Sequence, residues 1–541
     1  MKRLVALVLA AAIAVGVTGC GKSGNSGGGK SFTYAAELDI NTLDSTVSDE
    51  RMSFNAMHAI IDGLMGVDKD GKIIPAIAES YKLSDDKLTY TYKLRDAKWS
   101  NGDAVTADDF VYSWQRIIKN AGNYAYMLGS DGAAIVNADK LMEKQAANKD
   151  LTQADLDTLG IKAIDAKTLE VKVERPCAYF DELMTFPCYY PINRKFAESK
   201  GDEYAKTANA VLSNGAFILK DWQLGSKAVF EKNPNYWNKD AVKLNKLTML
   251  LVQDPKTAAT NFDAKYNDFA VINSSLVDKY KNAPEFKTFP EGYLFYLNVN
   301  MKNPVLANAN VRKALSLAIN REDFANNVLK DGSKKADGYI PSGLCSFNGK
   351  DFRAAADKYT EFDMTKAQAA LDAGLKELGK PEVSIKLLYG TDESPMDQMA
   401  TYLQNAFSKL KGLKIEMVAT TKKDRIYNKE KNGQYDVALT RWGPDYGDAT
   451  TYLNLLLKGN SNNYGKYESD AYNAKMNEVK NDSDAGDRFN KMIEAEKIVM
   501  TDLPNIPVFE KGCSVLIRTN VKNLVQKPVG VPYTFNYVDI Q

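Results

Sequence analysis

The chain has 541 residues, with 70 lysines and arginines against 69 aspartates and glutamates, a net charge of +1 and one histidine. That balance withholds the basic face a nucleic acid needs, and a lone His58 leaves no second imidazole for a histidine-paired zinc site and no free choice of general base. Five cysteines spread over this length do not make a disulfide scaffold. A chain this long supports about two to four domains, each with its own core.

At the start, Lys2 and Arg3 lead an uncharged run from Leu4 to Val15 that closes on Val17-Thr18-Gly19-Cys20. A basic start, a short apolar middle and small residues before a cut are the parts of a secretory signal, and the run is shorter than the roughly 20 apolar residues of a membrane span. The small residues before the cysteine resemble the lipobox of bacterial lipoproteins. This resemblance implies a signal over residues 1–19, an acylated Cys20, and residues 20–31 as a lipid-bearing Gly/Ser tether holding a soluble body outside the cytoplasmic membrane. Gly24-Asn25-Ser26-Gly27-Gly28-Gly29-Lys30-Ser31 also matches a phosphate-loop pattern. That mechanism needs a strand before the loop and a helix after it, whereas a strand-like Phe32 to Ala35 follows here. Flexible linker composition explains the same residues.

Phe54 to Leu64 carries Met57, Ile60, Ile61 and Leu64 at helical spacing, which makes His58 a structural histidine on a helix. Gly63 to Val67 and Lys72 to Ile74 flank an Asp70-Gly71 turn as two strands. Leu88, Tyr90, Tyr92 and Leu94 alternate with polar residues as a half-buried strand. Thr106 followed by Asp108 and Asp109 predicts a helix start, with Phe110, Trp114 and Ile118 on one face. Cys177, Cys188, Cys345 and Cys513 read as small buried hydrophobes, and pairing among them stays open. Val311, Ala314, Leu315, Ala318 and Ile319 mark another helix. Val383, Ile385 and Leu387 predict a strand, Met399 to Leu410 a helix ended by Gly412, and Leu413, Ile415 and Met417 the next strand. A polar helix then leads to a strand from Tyr435 to Arg441. Strand, helix, strand, helix, strand implies parallel pairing with helices on the sheet faces.

Several long segments, Gly63 to Lys72, Pro75 to Tyr81, Leu94 to Arg116, Lys232 to Trp237 and Val311 to Arg321, closely resemble the oligopeptide-binding lipoproteins of bacterial ABC importers, the family 5 extracellular solute-binding proteins. The likeness runs from about Phe32 to the C-terminus. It implies an α/β, two-lobed periplasmic-binding-protein-like fold of type II, in the large peptide-binding class, with an extra inserted domain and hinge strands between lobes that close around a ligand. The implied division is residues 32–62, 208–296 and 512–541 for lobe 1, 63–207 for the inserted domain and 297–511 for lobe 2, with hinge crossings near Tyr293 to Met301 and Asn505 to Gly512.

The resemblance also places ligand contacts. Arg441-Trp442-Gly443-Pro444-Asp445-Tyr446 matches the family's Trp-x-x-Asp-Tyr, in which the aspartate meets the α-amino group of a bound peptide, a desolvated ammonium that needs a paired anion. Backbone edges before Asp445 and around Asp49, Glu50, Arg51 and Met52 correspond to those that hold the peptide as an added strand. Trp442 either walls a side-chain pocket or packs the lobe. The chain departs from the family where some members place carboxylate-capturing groups: Leu439 replaces an arginine, and Leu388-Tyr389-Gly390-Thr391 runs on without a histidine. Arg441, on the same face of a strand as Leu439, is the substitute at hand. The implied protein is a monomeric, non-enzymatic receptor with no cofactor and no metal, delivering oligopeptides to an ABC permease at the extracytoplasmic face of the cell membrane. A peptide-pheromone receptor of the same fold is the alternative.

Overall fold

The computed structural model describes residues 29–147 and 150–541. The signal-like segment, Cys20 and the tether up to residue 28 lie outside the described residues. Ser31 opens a strand, Ser31–Ala36, so the helix a phosphate loop requires does not follow.

One eleven-stranded sheet runs through both lobes. From the lobe 2 edge its order is Leu413–Thr420, Val383–Gly390, Val437–Trp442, then the hinge strands Phe286–Val299 and Asn505–Ile517, then Phe269–Ile272, Ser31–Ala36, Lys246–Leu251, Lys227–Lys232 and Phe217–Gln223. The short Lys334–Lys335 pairs off this path with the second hinge strand. The first three are mutually parallel, as their strand–helix–strand order requires. The expected helix between two of them is Met396–Phe407. It stops short of Leu410 because the chain must turn before Gly412, which sits at φ +89°. The polar helix expected before residue 435 is a short turn, Lys422–Asp424, continuing as a π-helical segment, Arg425–Glu430.

The hinge strands are antiparallel to each other, and their register shifts between Pro290 and Leu294. Gly292 lies in this bulge at φ +76°, where a Cβ would fall 2.0 Å from the Pro528 carbonyl oxygen, so only glycine fits. Before the shift the pair is flanked by Phe269–Ile272 of lobe 1, and after it by Val437–Trp442 of lobe 2. The first strand thus begins, and the second ends, deeper in lobe 1 than the sequence suggests. Buried side chains divide accordingly: one core runs from Phe32 through Phe269 and resumes at Cys513, with Tyr446 joining it, and the other runs from Leu294 to Phe509, with Val529 joining it.

The inserted region carries its own antiparallel sheet in the order Ala78–Leu83, Thr89–Leu94, Thr168–Lys172, Ile161–Asp165. Its helix Ala107–Lys119 starts where the sequence predicts, with the Thr106 N–H donating to Asp109 Oδ2 at 2.9 Å. Phe110, Trp114 and Ile118 are buried on one face, each contributing roughly 1.5–3 kcal/mol. Helix Arg51–Ile60 holds His58, whose Nδ1 meets Tyr190 Oη at 2.6 Å and whose Nε2 meets Thr534 Oγ1 at 3.1 Å. Both ring nitrogens are satisfied, one by the inserted region and one by lobe 1, the structural role expected. Cys177, Cys188 and Cys513 are buried and Cys345 half-buried, all four as free thiols.

Candidate functional site

The strand Val437–Trp442 pairs with the hinge strand so that Trp442 lies opposite Leu294, and its end therefore opens at the lobe boundary. Tyr452 secures this corner: its phenol donates to the carbonyls of Gly292 at 2.7 Å and Trp442 at 3.1 Å. Gly443 follows with no side chain because the Tyr293 ring occupies that space; a Cβ there would lie 2.3 Å from Tyr293 Cε1. The chain then delivers Asp445 into the space between the lobes.

Asp445 lines three neighbouring cavities of about 110, 490 and 310 Å³, which converge on its carboxylate. Tyr126, from the inserted region, donates its hydroxyl to Asp445 Oδ2. Burial pushes the carboxyl up to about 6, against the pull of that hydrogen bond. Among the described residues no lysine or arginine pairs with it, and no basic side chain is among the groups that shift it. The arrangement is an inward-facing carboxylate, largely desolvated, that a cationic group entering the cleft would neutralise.

The other expected residues divide. Asp49 is exposed at the cavity wall and accepts from Asn123 Nδ2 at 2.8 Å. Arg51 lines the smallest cavity with its guanidinium engaged by Glu291 at 2.9 Å and Glu37 at 3.6 Å. Glu50 and Met52 do not reach the cleft. The Glu50 carboxylate caps helix Arg51–Ile60 by accepting from the Met52 N–H at 3.2 Å, its carbonyl accepts from the Phe54 N–H, and the Met52 side chain is buried in the lobe 1 core. The extended edge expected over Asp49 to Met52 therefore ends at Glu50, because the helix consumes the backbone groups that follow.

Trp442 fills both roles left open for it, lining the two larger cavities while packing against the lobe 2 core. Tyr446 turns away from the largest cavity. It stacks on Tyr179 at 4.5 Å and 8°, its hydroxyl donates to the Asp131 carbonyl at 3.1 Å, and it joins the lobe 1 core although its loop follows a lobe 2 strand. It is a contact between lobes. Leu439 is fully buried in lobe 2, and Arg441, two residues on, emerges at the cleft.

Sequence reasoning missed Tyr124, Tyr126 and Tyr293, and the loop Gln526 to Tyr533, which complete the walls. Two tyrosines in Asn123-Tyr124-Ala125-Tyr126 are the only local hint, and nothing in their spacing tells a cleft wall from a core.

A profile described as bacterial extracellular solute-binding proteins, family 5, middle region, matches residues 72–464. The chain belongs to this family. The dipeptide-binding protein of Lactococcus lactis subsp. cremoris is 33% identical over 463 residues, covering 82% of each chain. Among solved structures, Listeria monocytogenes OppA bound to peptide superposes with a TM-score of 0.77 at 34% identity, covering 95% of this chain and 99% of that one. The pheromone receptor PrgZ superposes with a TM-score of 0.78 at 27% identity, covering 95% and 100%. The fold of this family 5 protein is accordingly the two-lobed type II fold with hinge strands and an inserted domain. Among its described residues no helix is long and apolar enough to cross a membrane.

Proposed function

We propose that this protein is an extracytoplasmic receptor that captures peptides between its lobes and delivers them to an ABC importer. The observation that carries the reading is Asp445: a carboxylate at the meeting point of three inter-lobe cavities, raised by burial and without a basic partner among the described residues, suits a peptide's α-ammonium. The backbone at Asp49, beside the cavity, and the open end of Val437–Trp442 offer groups to a peptide strand, which gives affinity without reading side chains. Relatives named for dipeptide and oligopeptide binding support the same ligand class.

Residues 32–62 with 208–296 and 512–541 act as one lobe, 297–511 as the other, and 63–207 as an insertion that carries Tyr126 to the cleft and Tyr179 to the contact with Tyr446. Cys20 bears the lipid that holds this monomeric body at the membrane beside its permease. Mass spectrometry of material co-purified with the protein tests the ligand class: a population of peptides is expected, and a single non-peptide metabolite would overturn the reading. A narrow set of one or two sequences would instead favour the pheromone-receptor reading, for which the similarity to PrgZ speaks.

A further inference from the structure

A second space lies between the inserted region and lobe 2, apart from the peptide cleft. It consists of two adjoining cavities of about 310 Å³ each, which share Asp181 of the insertion and Arg488 of lobe 2. Neither shares a lining residue with the three cavities that meet at Asp445. The stacked pair Tyr179 and Tyr446 divides the two spaces, since Tyr179 lines the new one and Tyr446 lines a cavity of the cleft. Each volume is enough for a small organic molecule.

The walls of this space favour a cation. Tyr81 donates its hydroxyl to Asp181 Oδ2 at 2.7 Å, while Oδ1 has no hydrogen-bond partner. Burial raises the Asp181 carboxyl, with Tyr81 pulling the other way, and among the described residues no basic side chain is among the groups that shift it. The groups that would draw an anion are engaged instead. Arg488 pairs with Asp448 at 2.6 and 2.9 Å, and Lys87 donates to the Ser483 carbonyl at 3.1 Å. The N-terminus of helix Ala485–Asp502 is closed by Asp484, which accepts from the Gly486 and Asp487 N–H groups at 2.9 and 2.8 Å. Tyr90 and Phe180 stack with ring centres 4.0 Å apart, and with Tyr81 they give the cavity an aromatic wall. A carboxylate with an unpaired oxygen beside aromatic rings suits an ammonium on an apolar body.

We propose that this space is a second binding site, for a small organic amine whose ammonium sits on Asp181 and whose apolar body lies along Tyr81, Tyr90 and Phe180. The ligand class is aromatic or aliphatic monoamines, and the site is independent of the peptide cleft.

Titration calorimetry of the full chain with tyramine and with tyrosol, its neutral alcohol counterpart, tests the assignment. Tyramine is expected to bind roughly 10- to 100-fold more tightly, because a hydrogen bond to a charged group is at stake. Asp181→Asn should remove that difference, a ratio read within one variant and so independent of its stability. A crystal soaked in tyramine should show the molecule against Asp181. Equal binding of the two compounds by the wild-type protein, binding of neither, or tyramine located at Asp445 alone would overturn the proposal. None of these measurements uses a peptide, so their failure leaves the peptide reading in place. The wild-type comparison needs no variant, so a misfolded mutant does not blunt the test.

Discussion

Tyr126 and Asp445, 319 positions apart in the chain, meet across the lobe boundary through a hydrogen bond from the tyrosine hydroxyl to the carboxylate. The contact ties the inserted region to the loop that follows a lobe 2 strand, so the ammonium site draws on both sides of the cleft. Tyr446 on Tyr179 adds a second inter-lobe contact beside it.

Asp445→Asn is expected to weaken peptides with a free amino terminus far more than N-acetylated ones. Losing one partner of a buried charge pair costs about 2–5 kcal/mol, whereas a neutral hydrogen bond is worth about 0.5–1.5 kcal/mol. A double cycle of mutation against acetylation, read by calorimetry, isolates the coupling. Additive effects would remove Asp445 as the ammonium anchor.

The same carboxyl predicts a pH dependence of binding. Its value of about 6 lies above the ordinary 3.8, so the ligand-free fold binds this proton more tightly than the unfolded chain does. This group therefore favours the fold at low pH and withdraws support as pH rises from about 4 to 6. An ammonium needs the ionised form, so affinity for free-amine peptides should fall as pH drops below about 6, by up to about tenfold per unit. N-acetylated peptides should show a flatter profile. A flat profile for both would count against the carboxylate.

His58 works with the opposite sign. Burial first, with Lys527 assisting, lowers it from 6.5 to about 4, so the unfolded chain takes the proton first. Its contribution is complete above about 6.5 and is lost as pH falls towards 4, to a limit of roughly 3 kcal/mol. Urea unfolding across this range should show a decline that His58→Gln flattens. An unchanged slope in the variant would place the decline elsewhere.

Gly443→Ala is expected to lower peptide affinity while the fold survives. The new Cβ would meet the Tyr293 ring, which must swing away and release Arg441, at an overpacking cost of about 1–3 kcal/mol. Thermal unfolding and calorimetry on the same variant separate the stability loss from the binding loss. Unaltered affinity would mean that Tyr293 does not shape the site.

Cys20→Ala should leave folding and peptide binding intact and release the protein from the membrane fraction, since the cysteine precedes a Gly/Ser tether. Fractionation that still finds the variant on the membrane would reveal another anchor.

Local chemistry was readable in the one-dimensional chain. The helix cap at Thr106 and Asp109, the buried face of Phe110, Trp114 and Ile118, the parallel strands 383–390 and 413–420 and the structural His58 follow from periodicity, capping and turn preferences that act over a few residues. The family motif marked Asp445, but not its surroundings. Tyr126 and the Gln526 to Tyr533 loop reach the cleft, and Tyr179 meets Tyr446, from distant segments, and no local spacing encodes such contacts. The span from Asp49 to Met52 read as one edge, yet the Glu50 cap ends it, since capping spends the backbone groups that a peptide would need. Residue types and local periods settle which elements form. Only the tertiary packing of lobes, insertion and C-terminal loop around the two shared hinge strands, whose pairing shifts at Gly292, brings these side chains to one cavity.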